Sequence, residues 1–322
     1  MKNCIIGAWR MSQSAINHAG LMLQNGESIA AAMQRAMTEM ESDPTIYFAG
    51  LGALPNRDGI VQLDAAFMDG DTLGFGAVTN VTDLKHPFQY AQLLSDRVTD
   101  SVRTGESVLD YAKQRGAQIE NILTDNAKTI WQKCLNRNIN KSDVRHFGSA
   151  AFLGVDKEGT IAAGLSGADW FMKRSGVVSH VPMLGAGCYA DSSIGAAVAV
   201  GSGDDIMKGC LSYEVVRLLS TGISVQQACE TALRDHYEKL NDLDKRSGAM
   251  SIIAMDRLGR FGCSTIEKEG FMFVVSEGGA LPVIYVCTNQ GFASDVQPVT
   301  QKYLDSYDRN FDAYLSNLYQ NS

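Results

Sequence analysis

Apolar and polar positions alternate along this chain in two distinct rhythms. From Ser12 to Glu41 the apolar residues recur at helical spacing, interrupted at Gly20 and Gly26, and predict two helices, the second capped near Ser28. The turn-forming stretch Asn56-Arg-Asp-Gly59 precedes a predicted strand over 59–67, and 70–78 reads as a second, glycine-punctuated strand. Helices are predicted over 87–94, 107–116 and 124–135, followed by a polar, aperiodic linker over 136–147. After the linker the rhythm changes. Two short apolar runs, 149–155 and 160–165, flank Asp156-Lys-Glu-Gly159 and predict a hairpin. A small-residue strand over 194–200 leads into two long helices, 204–221 and 225–240, and strands at 250–255 and 271–275 follow. Over 299–320, Tyr303, Tyr307, Phe311, Tyr314, Leu315 and Leu318 fall on one helix face. That face either docks on its own domain or meets a second copy of the chain.

Strands interspersed with helix pairs predict layered sheets between helical layers. The chain has 322 residues, with 45% hydrophobic and 20% charged content, as in ordinary globular proteins, and a core of this size needs no disulfide or metal staple. A net charge of −8 without a long basic run argues against a nucleic-acid partner. The opening residues 1–6 do not read as a signal peptide, and no apolar stretch approaches the length of a membrane span. Seven scattered cysteines without a CxxC pair point to thiols in a reducing cytoplasm.

No Gly-x-Ser-x-Gly elbow, dinucleotide fingerprint or phosphate loop is present, and the five histidines lack metal-ligand spacing. The candidate chemistry lies at Gly148-Ser149, where the linker meets a strand. A hydroxyl there becomes N-terminal if the preceding bond is cut, and its own amine then serves as general base.

The run Gly59-Ile-Val-Gln-Leu-Asp-Ala-Ala-Phe-Met-Asp-Gly70 with its continuation to Val78, Leu84-Lys-His-Pro87, Gly148-Ser149, Gly159-Thr-Ile-Ala-Ala-Gly164, Pro182-Met-Leu-Gly-Ala-Gly-Cys-Tyr-Ala-Asp191 and Gly195 to Asp204 resemble, in order and spacing, the glycosylasparaginase and isoaspartyl-peptidase family of N-terminal-nucleophile hydrolases, across residues 5 to 280. The resemblance implies an α+β fold, a four-layer αββα sandwich in which the nucleophile starts a central strand. It implies an amide hydrolase that splits itself between Gly148 and Ser149 into an α-like half, 1–148, and a β-like half, 149–322, with a C-terminal helical extension from about 296, all one structural domain. It further implies a small-molecule amide substrate, no organic cofactor and a homodimer; the residues themselves offer no metal site. Trp9 is similar to a family tryptophan that lines the substrate pocket, though a buried tryptophan also serves as plain core.

The family has threonine where Ser149 stands. A supporting threonine falls on Gly167, the arginine that grips the substrate α-carboxylate on Val177, the aspartate that holds its α-amine on His180, and a hydroxyl donor to the oxyanion on Val200. Gly201, the backbone donor, is kept. Valine cannot replace a bidentate arginine. Ser166, Lys173, Arg174, Ser179, Ser202 and His180 lie close in sequence as possible substitutes. Two functions follow: an amidohydrolase with altered acyl specificity, or a silent, uncleaved relative serving as a binding or structural protein.

Overall fold

A computed structural model describes residues 3–136, 148–244, 247–291 and 293–320. The linker expected over 136–147 lies, apart from its first residue, outside the described residues. The elements in chain order are β1 (Cys4–Ala8), α1 (Gln13–Gln24), α2 (Ile29–Ser42), β2 (Leu63–Asp69), β3 (Phe75–Val81), α3 (Pro87–Ser95), β4 (Val102–Thr104), α4 (Glu106–Lys113) and α5 (Asp125–Leu135). Then come β5 (Ala150–Val155), β6 (Ile161–Gly167), β7 (Cys188–Asp191), β8 (Gly195–Gly201), α6 (Gly203–Gly209), α7 (Leu211–Leu219) and α8 (Val225–Asp244). The chain closes with β9 (Met250–Asp256), β10 (Phe261–Thr265), β11 (Phe271–Glu277), β12 (Val283–Asn289), β13 (Ser294–Pro298) and α9 (Gln301–Gln320).

Two sheets form the middle layers. The larger has the order β13-β12-β11-β1-β5-β6-β2-β3-β4, the smaller β10-β9-β8-β7. Strand β8 shows how the layers stack. Its Ala196, Val198 and Val200 join the core shared with the large sheet, while Ala197 and Ala199 join a second core with Val215, Val216, Ala228 and Leu233 of α7 and α8. A strand buried on both faces reads as a continuous apolar run, as Gly-Ala-Ala-Val-Ala-Val-Gly does. On the far side of the large sheet, Ala15, Ile16 and Ala19 of α1 and Met33 and Met37 of α2 pack into the first core. The result is helices, sheet, sheet, helices: the expected αββα arrangement.

The helix starts follow their capping chemistry. Ser28 Oγ accepts from Ala31 N at 3.2 Å, and Thr124 Oγ1 from Ala127 N at 3.2 Å, each satisfying a first-turn donor. The 156–159 hairpin forms as expected, with β5 and β6 paired antiparallel from Ala150↔Ser166 to Val155↔Ile161.

Three expected boundaries move. The strand expected from Gly59 starts at Leu63, because Gln62 Oε1 accepts from Asn56 Nδ2 at 2.9 Å and from Gly176 N at 3.3 Å, tying 60–62 to a loop. The strand expected from Gly70 starts at Phe75, because Asp69 Oδ1 takes the N–H groups of Asp71 and Thr72 and closes a turn. The long helix expected over 204–221 breaks at Cys210, whose φ of 44° is left-handed.

Strands β1, β4, β7, β10, β12 and β13 had no periodic signal. β1 is a five-residue run, Cys-Ile-Ile-Gly-Ala, buried between β11 and β5, so it does not alternate. The α9 face packs on its own chain: Leu304, Tyr307, Phe311 and Tyr314 lie against the large core, and Arg10 pairs with Asp308.

Candidate functional site

Ser149 immediately precedes β5, the strand held between β1 and β6. Its side chain is 1% exposed, and its Oγ is buried with no hydrogen-bond partner. Three neighbours surround it. The Trp9 indole donates from Nε1 to the Ser149 carbonyl at 3.0 Å and rests edge-to-face on Phe271, with ring centroids 4.9 Å apart. Gly167 lies opposite, and a Cβ added there would sit 2.7 Å from Ser149 Oγ. Gly148 has φ of 84°, and a Cβ on it would approach the Gly201 nitrogen to 3.0 Å and Val200 Cβ to 3.5 Å. A side chain at 167 would thus force the Ser149 hydroxyl to shift, while at 148 the left-handed backbone favours glycine and the fit against Gly201 is tight. Nucleophile candidate, preceding glycine, Gly201 and Val200 converge at the inner faces of the two sheets.

His180 is 2% exposed and bonds through Nε2 to the Ala199 carbonyl at 3.0 Å. Since a carbonyl only accepts, Nε2 carries the proton and Nδ1 is left with a lone pair and no partner. Burial pushes the imidazole pKa down to about 4, against a weaker opposing effect of the Ala199 bond, so the ring is neutral at pH 7. A Cβ on Gly203 would sit 2.9 Å from that Nδ1. Val177 stands apart from this packed group, 40% exposed on the loop after β6.

That loop is positioned by a carboxylate that sequence reasoning left out of the site. Asp64, fully buried on β2, accepts from Ser179 N at 3.0 Å and Ser179 Oγ at 2.8 Å through one oxygen, and from Asn80 N at 2.9 Å through the other. Its signal was an aspartate inside an otherwise apolar strand. The suggested substitutes divide. Ser166 points to the helix side of β6, where its Oγ donates to Glu41 at 2.6 Å. Ser202 donates to Asp205 at 2.9 Å, and the same oxygen accepts from Gly248 N at 2.8 Å. This clamps the chain beside Gly201. Lys173 is 7% exposed, and its Nζ has no partner.

Two cavities flank the centre. One, of about 780 Å³, is bounded by Trp9, by Gly248 and Ala249 next to the Asp205 clamp, and by Tyr303 and Tyr307 of α9. The other, of about 220 Å³, is bounded by Asp169, Lys173, Val177, Ser179, Gly203 and Asp204. Among the described residues no cluster of histidine, cysteine and acidic side chains is arranged to hold a metal ion.

The model of the asparaginase family matches residues 8–284. An N(4)-(beta-N-acetylglucosaminyl)-L-asparaginase of Elizabethkingia miricola is 27% identical over 280 residues, covering 86% of this chain and 82% of that protein. An isoaspartyl peptidase/L-asparaginase of Danio rerio is 34% identical over 227 residues, covering 69% and 73% respectively. An isoaspartyl peptidase of Salmonella typhimurium is 31% identical over 252 residues, covering 74% and 78%. With a family match over most of its length, and with two sheets packed between helices, the chain belongs to the asparaginase family of amidohydrolases, with the N-terminal-nucleophile hydrolase fold.

Proposed function

We propose that the protein is a self-activating amidohydrolase in which Ser149 is first the cleaving group and then the catalytic nucleophile. The observation that carries this reading is the setting of Ser149 Oγ: sealed, without a partner, and facing the gap left by Gly167, with Gly148 lodged against Gly201. A buried hydroxyl without a partner is costly and calls for a reason.

In the first step Ser149 Oγ attacks the Gly148 carbonyl carbon. The C–N bond breaks, the amine takes the proton, and an ester remains that water hydrolyses. The freed Ser149 amine then accepts the hydroxyl proton as Oγ attacks a substrate amide. The leaving amine takes that proton, and water releases the acid from the acyl-enzyme. Gly201 supplies a backbone donor for the oxyanion, and Trp9 holds the Ser149 carbonyl still. Val200 donates nothing. Loss of one oxyanion donor typically lowers rate about 10²–10³-fold.

The acyl group differs from an aspartyl unit. Val177 offers no guanidinium, and His180, neutral and turned to Ala199, offers no carboxylate for an ammonium. The reading extends to a small-molecule amide as substrate and to a homodimer, as the resemblance implies, in the reducing cytoplasm to which the scattered thiols point. The second reading, a silent uncleaved relative, is favoured by Val200 and Gly167, which both lack a hydroxyl that the family has there.

Intact-mass measurement of the purified protein separates the two. Two fragments divided before Ser149, and a single chain for Ser149→Ala, are expected. A wild-type chain that stays whole after prolonged incubation overturns self-activation.

A further inference from the structure

Asp205 stands three residues after Ser202 at the start of α6, in the spacing of a capping box. In that arrangement the serine side chain takes a first-turn N–H, and the acid reaches back to the serine's own N–H. Neither bond forms here. Ser202 N donates instead to Ala249 O at 2.7 Å, and the Ser202 side chain caps nothing in the helix. The buried Asp205 carboxylate is turned across to the chain before β9. One of its oxygens accepts from Gly248 N at 2.8 Å and from Ser202 Oγ at 2.9 Å, and the other pairs with Lys208 Nζ at 2.9 Å. Burial pushes this carboxyl up, but the bonds from Gly248, Lys208 and Ser202 together outweigh it and hold the pKa below the ordinary value. His236 of α8 fastens the same residue's backbone, its Nε2 donating to Asp205 O at 2.7 Å.

This web encloses Gly201. That glycine ends β8 opposite Met250 of β9, with φ of 120°, and a Cβ on it would clash with Ala249 O. Its nitrogen faces the other way, against Gly148, where an added Cβ would come within 3.0 Å of it. The Gly201 N–H is therefore set between Gly148 and the 248–249 backbone that Asp205 holds. An oxyanion donor works only within a narrow range of distance, and a shift of about 1 Å can lower rate about 10²-fold. Val200 beside it has no hydroxyl to share the task.

We propose that Asp205 is the positioning residue of the oxyanion site. By tying Gly248 and Ser202 to one carboxylate oxygen, it fixes the backbone on both sides of Gly201 and holds the Gly201 N–H where the oxyanion of each acyl step forms. The carboxylate exchanges no proton and touches no reacting atom; it acts through Gly201. Charge-assisted bonds are stronger than those to a neutral acceptor, which suits a fixed donor. This role rests on the reading of Ser149 as the nucleophile.

The test follows splitting by intact mass, in chains made by cell-free synthesis, beside the melting temperature of each variant. Splitting needs no substrate. Asp205→Ala removes both acceptor bonds and is expected to split at least about a hundredfold more slowly. Asp205→Asn keeps an oxygen that can accept from Gly248 and Ser202 without charge assistance, and is expected to recover to within about tenfold of wild type. Ser202→Ala cuts one tie, and adding it to Asp205→Ala is expected to slow splitting no further. Leu233→Ala, which empties part of the outer core on α8, controls for lost stability and is expected to split at the wild-type rate. Asp205→Ala that splits at the wild-type rate, or slows no more than Leu233→Ala at an equal loss of melting temperature, overturns the positioning role and leaves Ser149 standing as nucleophile. If the alanine variant does not fold, Asp205→Asn decides: a slowing of several-fold at unchanged melting temperature supports the role, and the wild-type rate overturns it. A wild-type chain that stays whole removes the nucleophile reading and this role with it.

Discussion

Gly167 lies so close to Ser149 that a side chain there displaces the hydroxyl. A methyl group at 167 would sit 2.7 Å from Ser149 Oγ and 3.0 Å from its Cβ. Gly167→Ala is therefore expected to cost about 1–3 kcal/mol of stability, as overpacking does, and to halt splitting by displacing the hydroxyl. Denaturant titration and intact mass check both; a variant that splits at the wild-type rate contradicts the placement of Ser149. Restoring the family threonine at 167 alone should fail for the same reason. His180 gives a pH signature. Its pKa falls from 6.5 in the unfolded chain to about 4 in the folded one. Between those values the unfolded chain binds a proton that the folded chain refuses, so stability falls as pH drops through this window, by up to about 3 kcal/mol. Asp169 and Glu41, both raised by burial, act in the opposite sense. The readout is accordingly the difference between wild type and His180→Gln, measured by urea titration from pH 7 to 4. A difference that stays flat refutes the buried neutral ring.

Helix α9 begins beyond the last residue matched by the family, at Gln301, yet forms part of the wall of the larger cavity beside Trp9. Its Tyr307 and Phe311 rings are 6.1 Å apart and lie against the chain's own core, and the Arg10–Asp308 pair fastens it. Truncation after Gln297 is thus expected to lower the melting temperature by several degrees and leave the oligomeric state unchanged. Light scattering during size exclusion checks the second point; loss of a dimer on truncation would move the interface onto α9. The element also shows how legible the sequence was. Spacings of three and four residues announced the helix and its aromatic face, but not the surface it would meet. The same holds for β1, whose five apolar residues carry no period because both faces are covered.

At the scale of the molecule, the bond before Ser149 divides the chain but not the sheet. In the order β13-β12-β11-β1-β5-β6-β2-β3-β4, strands from the two sides of that bond meet at β11–β1, β1–β5 and β6–β2. Three ladders and a shared core hold the halves together, so fragments from splitting are expected to co-elute under native conditions and to separate only in denaturant. Fragments that part on native size exclusion would contradict this account of the fold. No helix among the described residues is long and apolar enough to cross a membrane.

The sequence by itself determined the order of motifs, and with it the family, the layered α+β architecture and the position of Ser149 after Gly148. These are local or collinear properties: turn residues, caps, periodicity and spacing. Only the tertiary structure decided what surrounds that serine. Gly167 approaches it through β-pairing, Gly201 through the contact of two sheets, and Trp9 from the other end of the chain through a hydrogen bond spanning 140 positions. The same folding left the Lys173 ammonium without a partner and made His180 neutral. Burial and partnership belong to pairs of residues distant in sequence, and no pattern along a single chain encodes them.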